Sequence, residues 1–426
     1  KIALSPAIVT KKMTLNARDK LLVEMTDEVA GLVLYDNKIQ NQSLSISSSH
    51  SVKMFESYVR LMYQLEQDKL LDRKIEFLPS DEVIASRVSA HLGFTRPEIS
   101  VLMAYSKNVI DKDLIKSKLV DDEYFTKYLV SYFPVKMQNE CLDEILNHQL
   151  RREIISTMLA NKLVNHLGSY FFHAAQEYTG SNGCDIARAF CIVWEIFELE
   201  KLWDEVDKLG GSIKTELFHN IQSFVQTSIY WFLRYRPQIL NIEKSIKEFG
   251  SETKLLIKNA EKFLTGEVKE RFVKKYNYFS ENNVPVALAQ QLASLEMLYS
   301  AMDIILVTAK HSIPSTKVSE VYFSIGDRFS LDWLKHVAEQ LPANTYWNNM
   351  LIKTIKDDIY DQQRRLTSQI IKSSDDIGKS LAEWIKVNAK RVGIFDQFIN
   401  SIKNDAEFDA NKLVVVTKQI EILTHK

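Results

Sequence analysis

The amino-acid sequence predicts an all-α protein, an irregular multi-helix array with no Rossmann sheet. Three observations carry that expectation. The 426 residues include only 12 glycines and 8 prolines, less than half the usual share of helix breakers. Apolar residues recur at helical spacing in one segment after another. Strand signals are confined to Leu4–Val9 and Val414–Val416, both too short for periodicity to decide. With 46% hydrophobic residues the chain has ample material for a core, and its length allows two or three domains of roughly 150 residues each.

In chain order, the first strong element is a helix over Leu21–Gln42. Its residues Leu22, Met25, Val29, Leu32, Val33 and Ile39 fall at helical spacing and are expected to form a buried stripe. Asp27, Glu28, Asp36, Asn37 and Gln40 crowd the same helix, more polar chemistry than packing needs. Gly31 stands in its interior, where glycine costs ~1 kcal/mol relative to alanine, so another backbone is expected to approach closely there. Thr95, Arg96, Pro97 and Glu98 form a capping box, with proline tolerated in the first turn. Ile99, Leu102, Met103 and Val109 then supply a buried face.

A further helix begins near Leu150, and a wheel places Asn161 and Asn165 in the stripe of Leu150, Ile154 and Met158. Buried amides need partners. These two either satisfy a nearby loop or helix end, or bond across an interface. The clusters Thr179–Gly183 and Leu209–Ser212 interrupt the periodicity. The second marks the expected division into two helical subdomains, residues 1–211 and 212–426. Helical segments follow over 213–236, 241–264, 285–310, 316–341, 346–372, 376–399 and 408–424, with no fixed-period repeat.

Charge excludes some functions. Lysine and arginine number 54 against 55 acidic residues, with no block of either sign, so no nucleic-acid partner is expected. No run approaches the ~18 apolar residues of a membrane span and no signal peptide pattern leads the chain, so no membrane partner is expected and the cytoplasm is the default compartment. The sparse cysteines Cys141, Cys184 and Cys191 fit reduced buried thiols better than a disulfide framework. No G-x-G occurs, so a dinucleotide cradle on a Gly-rich turn is not expected, and Gly180 to Gly183 reads as a helix-start loop.

Metal chemistry finds little support. Asp357, Asp358 and Asp361 spell DDxxD, which in helical prenyl-diphosphate enzymes holds magnesium, but no matching second carboxylate cluster faces it around Asn404, Asp405 and Asp409. The alternative is a solvated face carrying an Asp361–Arg365 pair. His166 and His173 lack the third ligand that zinc demands, and Ser47–His50 lacks a nucleophile-elbow pattern. No catalytic, cofactor-binding or metal-ligating residue is assigned.

The run Met25–Ala30 (MTDEVA), with the following apolar residues and DN, resembles the large-subunit class of NAD-specific glutamate dehydrogenases. So do Leu92–Lys107 (LGFTRPEISVLMAYSK), Leu150–Gly168 (LRREIISTMLANKLVNHLG), Asp185–Phe190, Tyr322–Leu334 (YFSIGDRFSLDWL) and Lys356–Leu366 (KDDIYDQQRRL), in the family's order and up to about residue 372. The pattern departs at Tyr35, Lys38 and Gln149. The resemblance implies that this is the helical region C-terminal to a catalytic module. That module would bind NAD and oxidatively deaminate L-glutamate to 2-oxoglutarate and ammonium, while this part would be structural or regulatory. It also implies that Lys1-Ile2 closes the module's last motif, which agrees with the missing initiator methionine and a longer parent polypeptide. Asp27, Glu28, Asp36 and Asn37, with Asn161 and Asn165, are then the candidate contacts with the catalytic module or sister subunits. A rival reading is a non-enzymatic helical scaffold that mediates assembly.

Overall fold

The computed structural model describes residues 2–235, 241–341, 345–374, 376–405 and 408–424, so Lys1 of the expected module boundary lies outside the described residues. Among them are 24 α-helices, two short 3-10 turns and no strand. Both strand candidates are helical, within Ser5–Val9 and Ala410–Thr424. Helix starts follow the local chemistry. Glu98 accepts from the Thr95 backbone N–H at 2.7 Å and closes the capping box of the helix Arg96–Lys116. Thr14 and Thr345 cap two other helices through their side chains.

The chain divides into two compact units that are discontinuous in sequence. One runs to Trp194 and adds Gly210–Ser245; the other takes Glu195–Leu209 and Ile246–Lys426. The Leu209–Ser212 turn is one of the crossings between them.

In the first unit, the helices Arg96–Lys116 and Arg151–Leu167 pack antiparallel. Ser156 and Thr157 donate to Asp111 at 2.6 and 3.1 Å, and Arg152 donates to the carbonyls of Ile115 and Ser117 at 2.8 Å. The buried stripe of the second helix is Ile155, Leu159, Ala160, Leu163, Val164 and Leu167. The expected stripe of Leu150, Ile154 and Met158 is instead its half-exposed side, because the true core face is rotated toward Ser156 and Leu163, where the neighbouring helix lies. On Arg96–Lys116, Ile110 takes the buried place expected of Val109.

In the second unit the 27-residue helix Tyr346–Lys372 is central, flanked by Ala301–His311, Ser315–Arg328, Leu331–Gln340 and Ala410–Thr424. Its buried face mixes Ile352, Ile355, Ile359, Leu366 and Ile370 with paired polar groups. Asp303, 1% exposed, accepts from Arg364 at 3.1 Å and from the Tyr322 hydroxyl at 3.4 Å. Arg364 also pairs with Asp361. One turn away, Lys335 bonds Asp332 at 2.6 Å and Gln363 at 2.8 Å, and Gln363 donates to the Tyr322 carbonyl at 2.8 Å. Gly326 allows that approach: a Cβ there would lie 2.3 Å from Asp332 Oδ2 and 2.8 Å from Gln363 Nε2. Charges this buried are tolerable only when paired and hydrogen-bonded, and these are.

No single helix among the described residues is long and apolar enough to cross a membrane. The segment 285–310 is two helices, Val286–Leu298 and Ala301–His311, bent by 64°. The segment 316–341 is likewise two helices, as is 376–399.

Candidate functional site

The opening helix differs from its sequence reading in ways that define a surface. A one-residue break at Met25 divides it into Leu15–Glu24 and Thr26–Ser49. Only the end of the second helix is buried, through Ile39, Ser43, Ile46 and Ser47. Every residue from Val29 to Lys38 is exposed. The expected stripe is therefore corrected: Met25 and Ile39 are buried, but Val29, Leu32 and Val33 are partly exposed, at 44%, 37% and 55%. Nothing lies within 4 Å of a Cβ built at Gly31, so the expected close backbone is absent among the described residues. A helix apolar around much of its circumference is ordinarily covered; here Val29–Lys38 stays exposed among the described residues.

The polar candidates separate into distinct roles. Asp27 and Asn37 are exposed. Glu28 accepts from the Val135 backbone N–H at 2.6 Å, at the start of the helix Val135–Glu140, where a carboxylate favours the positive helix end. Lys136 on that helix also pairs with Glu24. The 26–49 helix is thus tied to the body at Glu28 and again from Asn41 onward, where Arg96 donates to Asn41 and Ser45 at 3.1 and 3.0 Å. Asp36 lies between these ties, near Lys107. Burial lowers Lys107 to about 8 despite the opposing pull of Asp36, and burial raises Asp36 against the pull of Lys107. Two opposite charges are each partly stripped of water without an ion pair between them. Asn161 is half-buried and Asn165 is buried, its Oδ1 with no hydrogen-bond partner.

At its C-terminal end this helix meets His219 of the helix Ile213–Tyr235. The His50 and His219 rings stack with centroids 3.4 Å apart and planes 12° apart. Burial, with His50 and Lys53 adding positive charge, pushes His219 down from its ordinary 6.5 to about 4. Between those values the unfolded chain binds a proton that the folded chain does not, so this residue contributes stability that is lost as pH falls through the window. Urea midpoints measured from pH 7 to 4 are expected to decline, and His219→Asn is expected to flatten that decline. An equal slope in the variant would remove His219 as a cause.

The metal decoys resolve physically. Asp357 and Asp361 are buried, not on a solvated face. Asp357 accepts from the Tyr299 hydroxyl at 3.4 Å, and Asp361 pairs with Arg364 and, as expected, with Arg365 at 2.7 Å. Asp361 is thus paired within its own helix, while Asp357 takes the Tyr299 hydroxyl from tertiary packing, which the i,i+4 pattern alone does not reveal. His166 bonds the Lys162 carbonyl at 2.8 Å and stands edge-on to Trp194, and His173 lies 3.6 Å from Glu177. No cluster of metal-binding residue types occurs among the described residues. Cys141 and Cys191 are buried and Cys184 half-buried, all free thiols.

Comparison with known proteins bears on this surface. Residues 91–421 match the family described as "Glutamate dehydrogenase, C-terminal". Residues 1–47 match "Bacterial NAD-glutamate dehydrogenase, catalytic domain", so the similarity to that domain runs on through most of the 26–49 helix instead of closing at Lys1-Ile2. Among curated relatives, the NAD-specific glutamate dehydrogenase of Pseudomonas aeruginosa is 33% identical over 379 residues, 88% of this chain and 23% of the relative. That of Halomonas elongata is 32% identical over 375 residues, covering 87% and 23%. The Mycobacterium tuberculosis enzyme of the same name is 30% identical over 430 residues, covering 100% and 26%. The chain thus spans about a quarter of the length of the curated relatives it matches.

Proposed function

This chain belongs to the glutamate dehydrogenase C-terminal family, and from that premise we propose that it is the helical C-terminal region of an NAD-dependent glutamate dehydrogenase. The parent enzyme oxidatively deaminates L-glutamate to 2-oxoglutarate and ammonium in the cytoplasm, and hydride transfer to NAD takes place in the catalytic portion. This region braces that portion and is inactive alone. Residues 1–211 adjoin the catalytic portion, and 212–426 extend the array.

The observation that carries the reading is the uncovered run Val29–Lys38, which falls within the residues that match the catalytic-domain family. Such a run is the part of a domain whose remaining surface covers it. Val29, Leu32 and Val33 supply the apolar contact, each contributing about 1 kcal/mol when covered. Asp27, Asp36 and Asn37 supply the polar rim, while Glu28 holds the helix at its angle through Val135. Half-buried Asn161 contributes a second contact, with the catalytic portion or a sister subunit, and buried Asn165 supports it from within. A helix fixed at both ends on the helical body and covered in the middle by the catalytic portion limits how that portion's lobes close.

The test is Leu32→Asp with Val33→Asp in the full-length parent and in this chain alone. The chain alone is expected to lose little of its melting temperature, because Val33 is 55% and Leu32 37% exposed. The parent is expected to lose turnover and thermal stability. Unchanged turnover, affinity and melting in the parent would remove the proposal.

A further inference from the structure

Within the second unit lies an open cavity of about 350 Å³ that none of the above uses. Its size is in the range of small-molecule sites. Three elements build it. Arg328 closes the helix Ser315–Arg328, Ser330 is the residue before the helix Leu331–Gln340, and Phe395, Asp396 and Asn400 project from the helix Ala389–Lys403. Phe329 and Phe395 are buried edge to face, 5.9 Å apart, and form an apolar floor.

The polar groups around that floor are incompletely spent. Arg328 meets Asp396 end-on, Nη1 to Oδ1 at 2.8 Å and Nη2 to Oδ2 at 2.9 Å. A guanidinium carries five N–H donors in a fixed fork, so its Nε edge is left over. Ser330 makes no side-chain cap to the helix it precedes, which leaves first-turn amides and the positive helix end beside the cavity. The chain is held there in the left-handed region, φ 55°. The Ser330 hydroxyl and the Asn400 amide make no hydrogen bond to any described residue. One guanidinium edge, one hydroxyl and one amide therefore have no protein partner around one opening and are open to a ligand from solvent. All can donate, and the wall beneath them is aromatic.

We propose that this cavity binds a small organic carboxylate. The carboxylate takes the free edge of Arg328 together with Ser330 and Asn400, and the carbon skeleton lies on Phe395. Asp396 has two effects: it orients the guanidinium, and its charge weakens anion binding, so the site responds to millimolar and not to trace ligand. This inference does not depend on the family assignment and stands or falls separately from it.

Succinate titrated calorimetrically into the full chain, with inorganic phosphate as the parallel arm, tests the proposal. Saturable succinate binding is expected. Arg328→Lys keeps the charge but loses the planar edge, and is expected to weaken binding ~10-fold or more, the range of a charge-assisted hydrogen bond. Asn400→Ala is expected to weaken it several-fold, and Asp396→Asn to tighten it, with helicity unchanged in each. No saturable binding by wild type and Asp396→Asn would overturn the site. Succinate binding indifferent to Arg328→Lys and Asn400→Ala would do the same. Binding of phosphate but not succinate would overturn the carboxylate assignment.

Discussion

Arg364→Leu is expected to destabilise the chain by about 3–5 kcal/mol, because it removes the guanidinium that faces two carboxylates in the interior of the second unit. Asp303 is 1% exposed and bonds Arg364 at 3.1 Å, so the carboxylate depends on the guanidinium that reaches it. Asp361 suffers less, since Arg365 remains 2.7 Å away on the same helix. The physical cause is an uncompensated charge, not a lost contact, and a second substitution separates the two. Asp303→Asn combined with Arg364→Leu removes the charge together with its partner and is expected to recover most of the loss. Urea unfolding of the three proteins measures this. A single-variant loss under about 1 kcal/mol, or no recovery in the double variant, contradicts the account.

Gly326→Ala is the second large effect, and its sign opposes intrinsic preference. Alanine in a helix interior ordinarily stabilises by ~1 kcal/mol over glycine. Here the added methyl would sit 2.3 Å from Asp332 Oδ2 and 2.8 Å from Asp332 Cγ. Asp332 cannot yield easily, because it is 5% exposed and held at 2.6 Å by Lys335. Overpacking and disruption of a buried pair together are expected to cost about 3 kcal/mol. Gly393→Ala is the control. That glycine also lies inside a helix, Ala389–Lys403, but a Cβ there meets nothing within 4 Å, so a gain of up to ~1 kcal/mol is expected. Thermal melts of both variants decide it, and equal signs would refute the packing argument.

The sequence was most legible where local chemistry acts alone. The capping box at Thr95, the turns at Thr179–Gly183 and Leu209–Ser212, and the helices Ile213–Tyr235 and Tyr346–Lys372 all follow from propensity and period. The bend after Leu298 does not, because no glycine or proline marks it. The helix Gly266–Glu281 escaped notice because Val268, Phe272 and Phe279 are its only buried residues in a heavily charged stretch. DDxxD was misplaced on the surface because its cations are local, as on a solvated helix face, while the groups that bury it, such as Tyr299, arrive from distant parts of the chain.

The opening helix was misread. Val29, Leu32 and Val33 have the spacing of a buried stripe but are exposed in this chain, because periodicity marks an apolar face without saying what covers it. The cavity beside Arg328 left no trace in the sequence reading, since Ser330 and Asn400 become neighbours only through folding. Part of its wall, Arg328 to Ser330, nevertheless falls within the Tyr322–Leu334 motif that carries the family resemblance.

The discontinuity of the two units constrains the order in which the protein can be made. During vectorial synthesis the first unit waits for Gly210–Ser245 to leave the ribosome before its last long helix can close it. Meanwhile Glu195–Leu209, already synthesised, lacks the rest of its own unit until that follows. The nascent chain therefore holds an unfinished core while a segment of its successor hangs beside it, an interval in which a holding chaperone has something to grip.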